Sequence, residues 1–201
     1  MDNLVAYILM ALVMTMLPGT DTILIIKNTL NHGARAGRYT ILGMATGLLF
    51  WTIITVLGLS IIIAQSALLF NMIKYLGAAY LCYLGIRALF TQATLSLEEF
   101  KTAQASGQNA YLQGAISNIL NPKTILVYIT FMPQFIDLNA NINQQLIVLG
   151  LILTFIAVGW FLLVVYFMDI AKKWMKKPLF QNIFQKFAGI LLISLAVKTA
   201  T

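Results

Sequence analysis

The stretch Asn118-Ile119-Leu120-Asn121-Pro122-Lys123 places polar and helix-breaking residues inside an apolar run that spans residues 111–136. About 20 apolar residues suffice to cross a bilayer, so this run is long enough to do so. Pro122 would then interrupt the helical hydrogen bonds at membrane depth, and Lys123 would lie near the hydrocarbon. Broken backbone is tolerated there only where protein buries it or a water-filled cavity meets it, and an intramembrane cation is a functional hypothesis by default. The stretch therefore predicts a polar site inside a membrane protein.

The composition places the whole chain in the membrane. Of its 201 residues 60% are apolar and 9% are charged, with a mean hydropathy of +0.87, whereas about a quarter of the residues in soluble domains are charged. No loop is long enough for a soluble domain, which needs at least about 50 residues. We therefore expect one all-α integral membrane domain over residues 1–201. The net charge of +7 lies in short clusters between apolar runs, where the positive-inside rule explains it, so a nucleic-acid partner is not expected.

Six apolar segments are predicted to span the bilayer, at residues 4–26, 41–64, 67–90, 111–136, 146–168 and 179–197. The first segment is interrupted by Pro18-Gly19-Thr20-Asp21 and the fourth by Asn121-Pro122. A basic loop is expected at residues 27–38. The sixth segment is short and polar at its start, so the sequence leaves open whether it spans.

The two interruptions divide the chain into similar halves. When Pro18 is superposed on Pro122, segment two falls on segment five and segment three on segment six. The first half comprises about residues 1–92 and the second about residues 110–201, and a polar linker at about residues 93–109 connects them. Because each half has an odd number of spans, the two enter the membrane in opposite senses, as in the inverted repeats of many secondary transporters. The predicted fold is thus six transmembrane helices in two inverted three-helix repeats, with broken first and fourth helices.

Basic residues predict the orientation. Loops one to two and five to six carry three and four of them respectively, namely Lys27, Arg35, Arg38, Lys172, Lys173, Lys176 and Lys177. Loops two to three and four to five carry none. Because cytoplasmic loops are enriched in Lys and Arg, the basic loops are expected in the cytoplasm and both termini outside.

The candidate substrate-binding residues flank the two breaks: Pro18, Gly19, Thr20, Asp21, Asn118, Asn121, Pro122 and Lys123. Thr20 or Asp21 can cap a new half-helix, and Asn121 before Pro122 is a favoured pair for a helix start. Helix N-termini bind anions, so a substrate carboxylate is a natural ligand.

Our hypothesis is that Asp21 and Lys123 pair in the empty carrier and separate on loading, Lys123 taking the substrate carboxylate and Asp21 the ammonium. In the alternative, Asp21 is only a helix cap and Lys123 its permanent partner. For Asn118, a helix–helix contact is favoured over a hydrogen bond to substrate.

Neither an enzyme nor a metal or cofactor site is predicted. Cys82 is the only cysteine, which excludes an intrachain disulfide and a thiolate zinc site, and His32 is the only histidine. An intramembrane aspartyl enzyme would need two facing carboxylates, and Asp21 has only the distant Asp169 as a mate.

Several short motifs carry a resemblance: Leu17-Pro18-Gly19-Thr20-Asp21, Gly33-Ala34-Arg35-Ala36-Gly37, Lys74-Tyr75-Leu76-Gly77-Ala78-Ala79-Tyr80-Leu81, and Asn121-Pro122-Lys123 with Pro133-Gln134-Phe135. In this order they resemble the lysine exporter (LysE/RhtB) family of amino-acid efflux permeases. Thr20 departs from that pattern, which usually has a second proline there.

The resemblance implies a multi-pass protein of the bacterial inner membrane that exports amino acids or related small metabolites, driven by the proton motive force. Its partners would be the amino-acid substrate and the lipid bilayer, and a homo-oligomer is left open. The alternatives are a cation or heavy-metal exporter, an exporter of other small metabolites, and a non-transporting membrane scaffold. The absence of an evident further acid near the breaks favours neutral substrates.

Overall fold

The computed structural model describes residues 4–65 and 107–168, together with single positions between 68 and 86 and between 183 and 197. Both continuous ranges are almost entirely helical, and no strand occurs within them, as the all-α prediction requires. Predicted segments three and six lie largely outside the described residues, as do Asp169, the four lysines that follow it and most of the linker. The helices are α1 (Leu4–Met16), α2 (Thr20–Gln65), α3 (Gly107–Ile119), α4 (Pro122–Leu126) and α5 (Ile142–Tyr166).

Both predicted helix breaks are present. α1 ends at Met16 and α2 begins at Thr20, with its first backbone bond from Ile23 N to Gly19 O at 3.0 Å. The second break separates α3 from α4. There Asn121 Oδ1 accepts a 2.9 Å hydrogen bond from the backbone N of Lys123, and Pro122 occupies the first helical position. Proline suits that position because its missing N–H would have had no helical acceptor.

The prediction of a basic loop at residues 27–38 is wrong. These residues continue helix α2, which is interrupted only at Gly33, where φ is 81° and ψ is 171°. A positive φ is accessible to glycine because it has no Cβ. Basic side chains do not by themselves stop a helix, so segments one and two are joined by a kink in one long element.

The backbones of helices α2 and α3 are in direct contact, because glycines lie at the interface between the two helices. A Cβ at Gly43 would collide with the backbone of Tyr111, and one at Gly114 would collide with the backbone of Thr40. Small residues that allow such close approach are typical of helix contacts in membranes. Asn28 of α2 adds a polar contact between the two helices by donating to Gln113 Oε1 of α3 at 3.1 Å. This packing holds the part of α2 that follows Gly33 along the length of α3, which leads into the second break.

The apolar core lies between α1, α2, α5 and the irregular stretch after α4. That stretch is a π-helical turn at Val127–Phe131 followed by a 3-10 turn at Met132–Phe135. Tyr7 is fully buried and ties α1 to α5 by donating to Leu149 O at 2.8 Å. The core anchors the C-terminal half of α1, which leads into the first break.

Two described stretches are long and apolar enough to cross a membrane, Thr20–Gly58 and Ile142–Tyr166, and α1 is a shorter apolar helix.

Candidate functional site

Asp21 lies in the first turn of α2 and is buried, with 5% of its surface exposed. Its Oδ2 accepts a 3.0 Å hydrogen bond from Asn118 Nδ2, whereas its Oδ1 has no hydrogen-bond partner. The carboxylate therefore contacts α3 instead of capping its own helix. Its charge is still favourable at this place, because a helix N-terminus carries partial positive charge.

Lys123 reaches from the first turn of α4 to the end of α1. Its Nζ donates to the carbonyl oxygens of Met14 at 2.8 Å and Leu17 at 3.1 Å. Carbonyl groups at the C-terminal end of a helix lack an intrahelical donor and carry partial negative charge, so they suit a cation. Gly19 lines the space around the ammonium, since a Cβ there would lie 3.6 Å from Nζ.

The predicted pairing of Asp21 with Lys123 is therefore not a direct hydrogen bond in this structure. Both side chains line the same small cavity and interact electrostatically across it. Asn118 supplies the hydrogen bond to the carboxylate, and the lysine chain is long enough to reach the free carbonyls of α1.

Asn118 joins the two breaks, because it is buried and contacts both half-helices. Its Nδ2 donates to Asp21 Oδ2 in α2 and to Thr124 Oγ1 in α4, at 3.0 and 3.3 Å. Gly47 makes room for it: a Cβ at this position would lie 2.7 Å from Asn118 Oδ1. Asn118 thus makes the kind of contact between helices that the sequence favoured, and a hydrogen bond from Asn118 to substrate stays a prediction.

Trp51 contacts the second helix break, although it does not line the cavity, and the sequence did not identify this contact. Its Nε1 donates to Ile119 O at 3.0 Å and so satisfies a carbonyl at the end of α3. The ends of α1 and α3 therefore each receive a donor from a distant element, Lys123 in one case and Trp51 in the other. Its type and apolar surroundings in the sequence fit core packing equally well, so no sequence signal distinguished this role.

The cavity between the breaks has a volume of about 40 Å³. It is lined by Met14, Thr15, Asp21, Leu48, Asn118, Lys123, Thr124, Val127, Leu153, Ala157 and Phe161. Asp21 Oδ1 and Asn118 Oδ1 are buried acceptors without a partner here. A water molecule needs roughly 10–15 Å³, whereas ligand pockets measure about 300–1,000 Å³. The cavity is therefore water-sized, and a solute could enter only if it widened.

The predicted site residues divide into three groups. Asp21, Asn118 and Lys123 line the cavity, whereas Thr20 lines a separate groove. The others, Pro18, Gly19, Asn121 and Pro122, form the backbone of the two breaks.

The groove lies between the first part of α2 and α3 and has a volume of about 690 Å³. Its lining comprises Thr20, Ile23, Leu24, Lys27, Asn109, Leu112, Gln113, Ile116 and Ser117. Thr20 and Ser117 directly precede Asp21 and Asn118 in the chain, so the groove extends to within one residue of the cavity lining.

Comparisons with known proteins agree with this description. The chain is 56% identical over 207 residues to an uncharacterized membrane protein, YrhP, of Bacillus subtilis (strain 168), with 99% of each chain covered. It is 37% identical over 147 residues to an uncharacterized membrane protein of Vibrio cholerae, covering 73% of this chain and 71% of that one. A leucine efflux protein of Klebsiella pneumoniae is 31% identical over 140 residues, covering 69% of this chain and 66% of its own. No solved structure matches the chain.

The sequence profile described as LysE type translocator matches residues 12–201, which include both helix breaks and every residue that lines the cavity or the groove. Members of this family are membrane transporters and not enzymes. The protein described here belongs to the LysE type translocator family.

Proposed function

We propose that this protein exports amino acids or closely related small metabolites across the bacterial inner membrane, as a multi-pass secondary transporter driven by the proton motive force. The observation that carries the proposal is the pair of opposite charges at the two helix breaks. Asp21 is buried and Lys123 is half-buried, and the two come from different half-helices and line one cavity. A zwitterionic amino acid presents the two complementary charges, so both can be satisfied at once when the solute enters.

The substrate we propose is a neutral amino acid with an apolar side chain. Most of the remaining cavity lining is apolar, with Leu48, Val127, Leu153, Ala157 and Phe161. Among the described residues of this lining, Asp21 is the only acid. A basic substrate would bring a second positive charge, which this lining could not balance. The similarity to a leucine efflux protein supports the same class of substrate.

Within this proposal, the residues that flank the breaks bind the solute. Lys123 receives its carboxylate and Asp21 its ammonium, while Asn118 orients Asp21. Pro18, Gly19, Thr20, Asn121 and Pro122 shape the two interruptions that expose these groups.

The architecture we propose is six spans in two inverted repeats, of about residues 1–92 and 110–201. Crossed contacts between the halves support it: α1 packs against α5, and α3 packs against α2. Tyr7 and Tyr111 each lie 11 residues before the proline of their break. Tyr7 OH binds Leu149 O, and Tyr111 OH lies 2.9 Å from Thr46 Oγ1. The two contacted residues lie 27 and 28 residues after the prolines of their own halves, as expected for elements related by a two-fold axis.

The groove between α2 and α3 is the approach that we propose from the cytoplasm. It extends from Lys27 and Asn109 to Thr20 and Ser117 beside the cavity. Lys27 belongs to the basic region that the positive-inside rule assigns to the cytoplasm.

The test is efflux from cells preloaded with dipeptides, comparing the wild type, an empty vector and the Asp21→Asn variant. Asp137→Asn is the matched control, because Asp137 lies on an exposed turn and its Oδ1 accepts only a local bond from Asn139 N. We expect the wild type and the control to release leucine or a similar amino acid faster than the vector, and a protonophore to abolish the difference. Asp21→Asn should insert in the membrane but lose most of the efflux. If no amino acid responds although the protein is inserted, amino-acid export is wrong, and metals and other metabolites become the candidates.

A further inference from the structure

The ammonium group of Lys123 occupies a cation site that the rest of the protein builds. Two carbonyl oxygens at the end of α1, from Met14 and Leu17, accept its hydrogen bonds at 2.8 and 3.1 Å. A primary ammonium has three N–H donors, so one remains after these two bonds. The cavity on the same side holds the Asp21 carboxylate, of which Oδ1 is buried without a partner.

This site has the chemistry of a receptor for a primary amine. The carbonyls bring the partial negative charge of a helix C-terminus, and Asp21 brings a full negative charge. Unwound carbonyls and half-helix ends bind cations in other broken-helix transporters as well. Lys123 comes from α4, in the other half of the chain, so its bonds to α1 hold the two breaks together.

We infer that the Met14 and Leu17 carbonyls and the Asp21 carboxylate form the binding site for the ammonium group of the exported solute, and that Lys123 fills it as an internal substitute until the solute arrives. The inference rests on the proposed export of amino acids. It adds the backbone carbonyls of Met14 and Leu17 to the site. It also makes these carbonyls, and not Asp21, the hydrogen-bond partners of Lys123 in the empty carrier.

The exchange keeps the charges balanced at each stage. Before loading, one lysine cation and one aspartate anion face the cavity. The entering solute adds one positive and one negative charge. Its ammonium takes the carbonyls and Asp21, and the displaced Lys123 takes its carboxylate. Because an uncompensated buried charge is strongly destabilising, a balanced exchange is the route that the site permits.

Displacement also explains why the cavity is small in this structure. Lys123 closes the distance between α4 and α1 when it binds Met14 O and Leu17 O. Its release would free α4 from α1 and let the cavity widen toward the size that a solute needs.

The experiment measures thermal unfolding of the purified full-length Lys123→Ala variant with ethylammonium chloride or tetramethylammonium chloride at equal ionic strength. Ethylammonium keeps the N–H donors, whereas tetramethylammonium has the same charge and none. We expect ethylammonium to raise the unfolding temperature saturably, by about 2–4 °C, with no such rise from tetramethylammonium. The wild type and the control variant Lys186→Ala, which removes an exposed lysine that lines neither the cavity nor the groove, should not respond. An equal response to both cations, or a response to neither, overturns the site.

If the Lys123→Ala variant does not accumulate as folded protein, the same comparison is made on its recovery from membranes solubilised with each cation. Ethylammonium should then restore monodisperse protein. Failure to restore it overturns the site as well.

A second measurement tests whether the site receives the solute. Leucine amide, which keeps the amino group and the side chain but carries no carboxylate, should compete with ethylammonium on the Lys123→Ala variant, because the residue that would receive a carboxylate is absent there. The amide 4-methylpentanamide, which lacks the amino group, should not compete. If ethylammonium binds and leucine amide does not compete, the solute role is wrong and Lys123 is a permanent cap of α1. The ethylammonium measurement does not depend on export, so it separates failure of this inference from failure of the proposed function.

Discussion

At the scale of single residues, Asn118 carries the contact on which the site depends. It gives the buried carboxylate of Asp21 its hydrogen bond and also contacts Thr124 beyond the second break. Gly47 provides the space for it. Asn118 therefore couples the position of Asp21 to the position of α4, so a movement that separates the two half-helices would break one of these bonds.

We predict that Asn118→Ala lowers the free energy of unfolding by about 1–3 kcal/mol, because a buried charged acceptor loses its donor. The free energy is measured by denaturant titration in detergent micelles. Asn139→Ala is the matched control, since Asn139 is exposed in the turn before α5. Equal stability of the two variants would show that the hydrogen bond to Asp21 makes no net contribution to the free energy of unfolding.

At the scale of secondary-structure elements, two half-helices end inside the protein and each end is satisfied by a different group. Lys123 binds the carbonyls of α1, Trp51 binds the last carbonyl of α3, and Asn121 caps the start of α4. Polar backbone at membrane depth is acceptable because these partners replace water.

We predict that Asn121→Ala costs about 1 kcal/mol of stability and also reduces efflux, since the loss of an asparagine cap frees the first turn of α4. Asn141→Ala removes the same kind of cap at the exposed start of α5, where Asn141 Oδ1 accepts from Gln144 N at 3.0 Å. It should cost similar stability and leave efflux unchanged. Thermal unfolding and dipeptide-loaded efflux measure the two effects. Equal efflux in both variants would contradict a role for the break in transport.

Close packing of α2 on α3 leads to a further prediction. Gly43→Ala places a Cβ against the backbone of Tyr111, which cannot rotate away, so we expect a loss of about 1–3 kcal/mol. Gly159→Ala is the control, because the described structure leaves open space where its Cβ would lie. We expect the control to stay within about 0.5 kcal/mol of the wild type. A stable Gly43→Ala protein would mean that the two helices can separate without cost.

At the scale of the whole molecule, the crossed contacts and the charge distribution together predict an orientation in the membrane. Gly33 and the basic residues around it lie at the kink that joins the two helical parts of α2, and the turn at residues 136–141 precedes α5. The inverted-repeat proposal puts the first of these in the cytoplasm and the second outside.

Cysteine labelling tests this orientation in a background where Cys82, the single cysteine, is replaced by serine. Ala34→Cys and Asn139→Cys introduce thiols at two exposed positions. In intact spheroplasts, a membrane-impermeant maleimide should label Asn139→Cys, and it should label Ala34→Cys only after lysis. The reverse pattern would invert the proposed topology and place the groove on the outer side.

The sequence by itself determined the features that depend on local chemistry. Its apolar composition identified a membrane protein, and Pro18 and Pro122 located the two breaks because proline lacks the N–H that a continuing helix needs. The Asn121-Pro122 pair predicted the start of α4. The same local reasoning failed at residues 27–38, because polarity alone does not end a helix and only the backbone at Gly33 departs from helical geometry.

Only the tertiary structure decided what the polar groups contact. Every residue has a backbone carbonyl, so nothing in the sequence distinguishes those of Met14 and Leu17 as the acceptors for Lys123. Two further contacts depend likewise on where α2 crosses α3: the hydrogen bond from Trp51 to Ile119 O and the packing of Asn118 against Gly47. The charges of the site were readable from residue types, whereas their partners followed from helix packing, because packing alone brings distant backbone within hydrogen-bond distance.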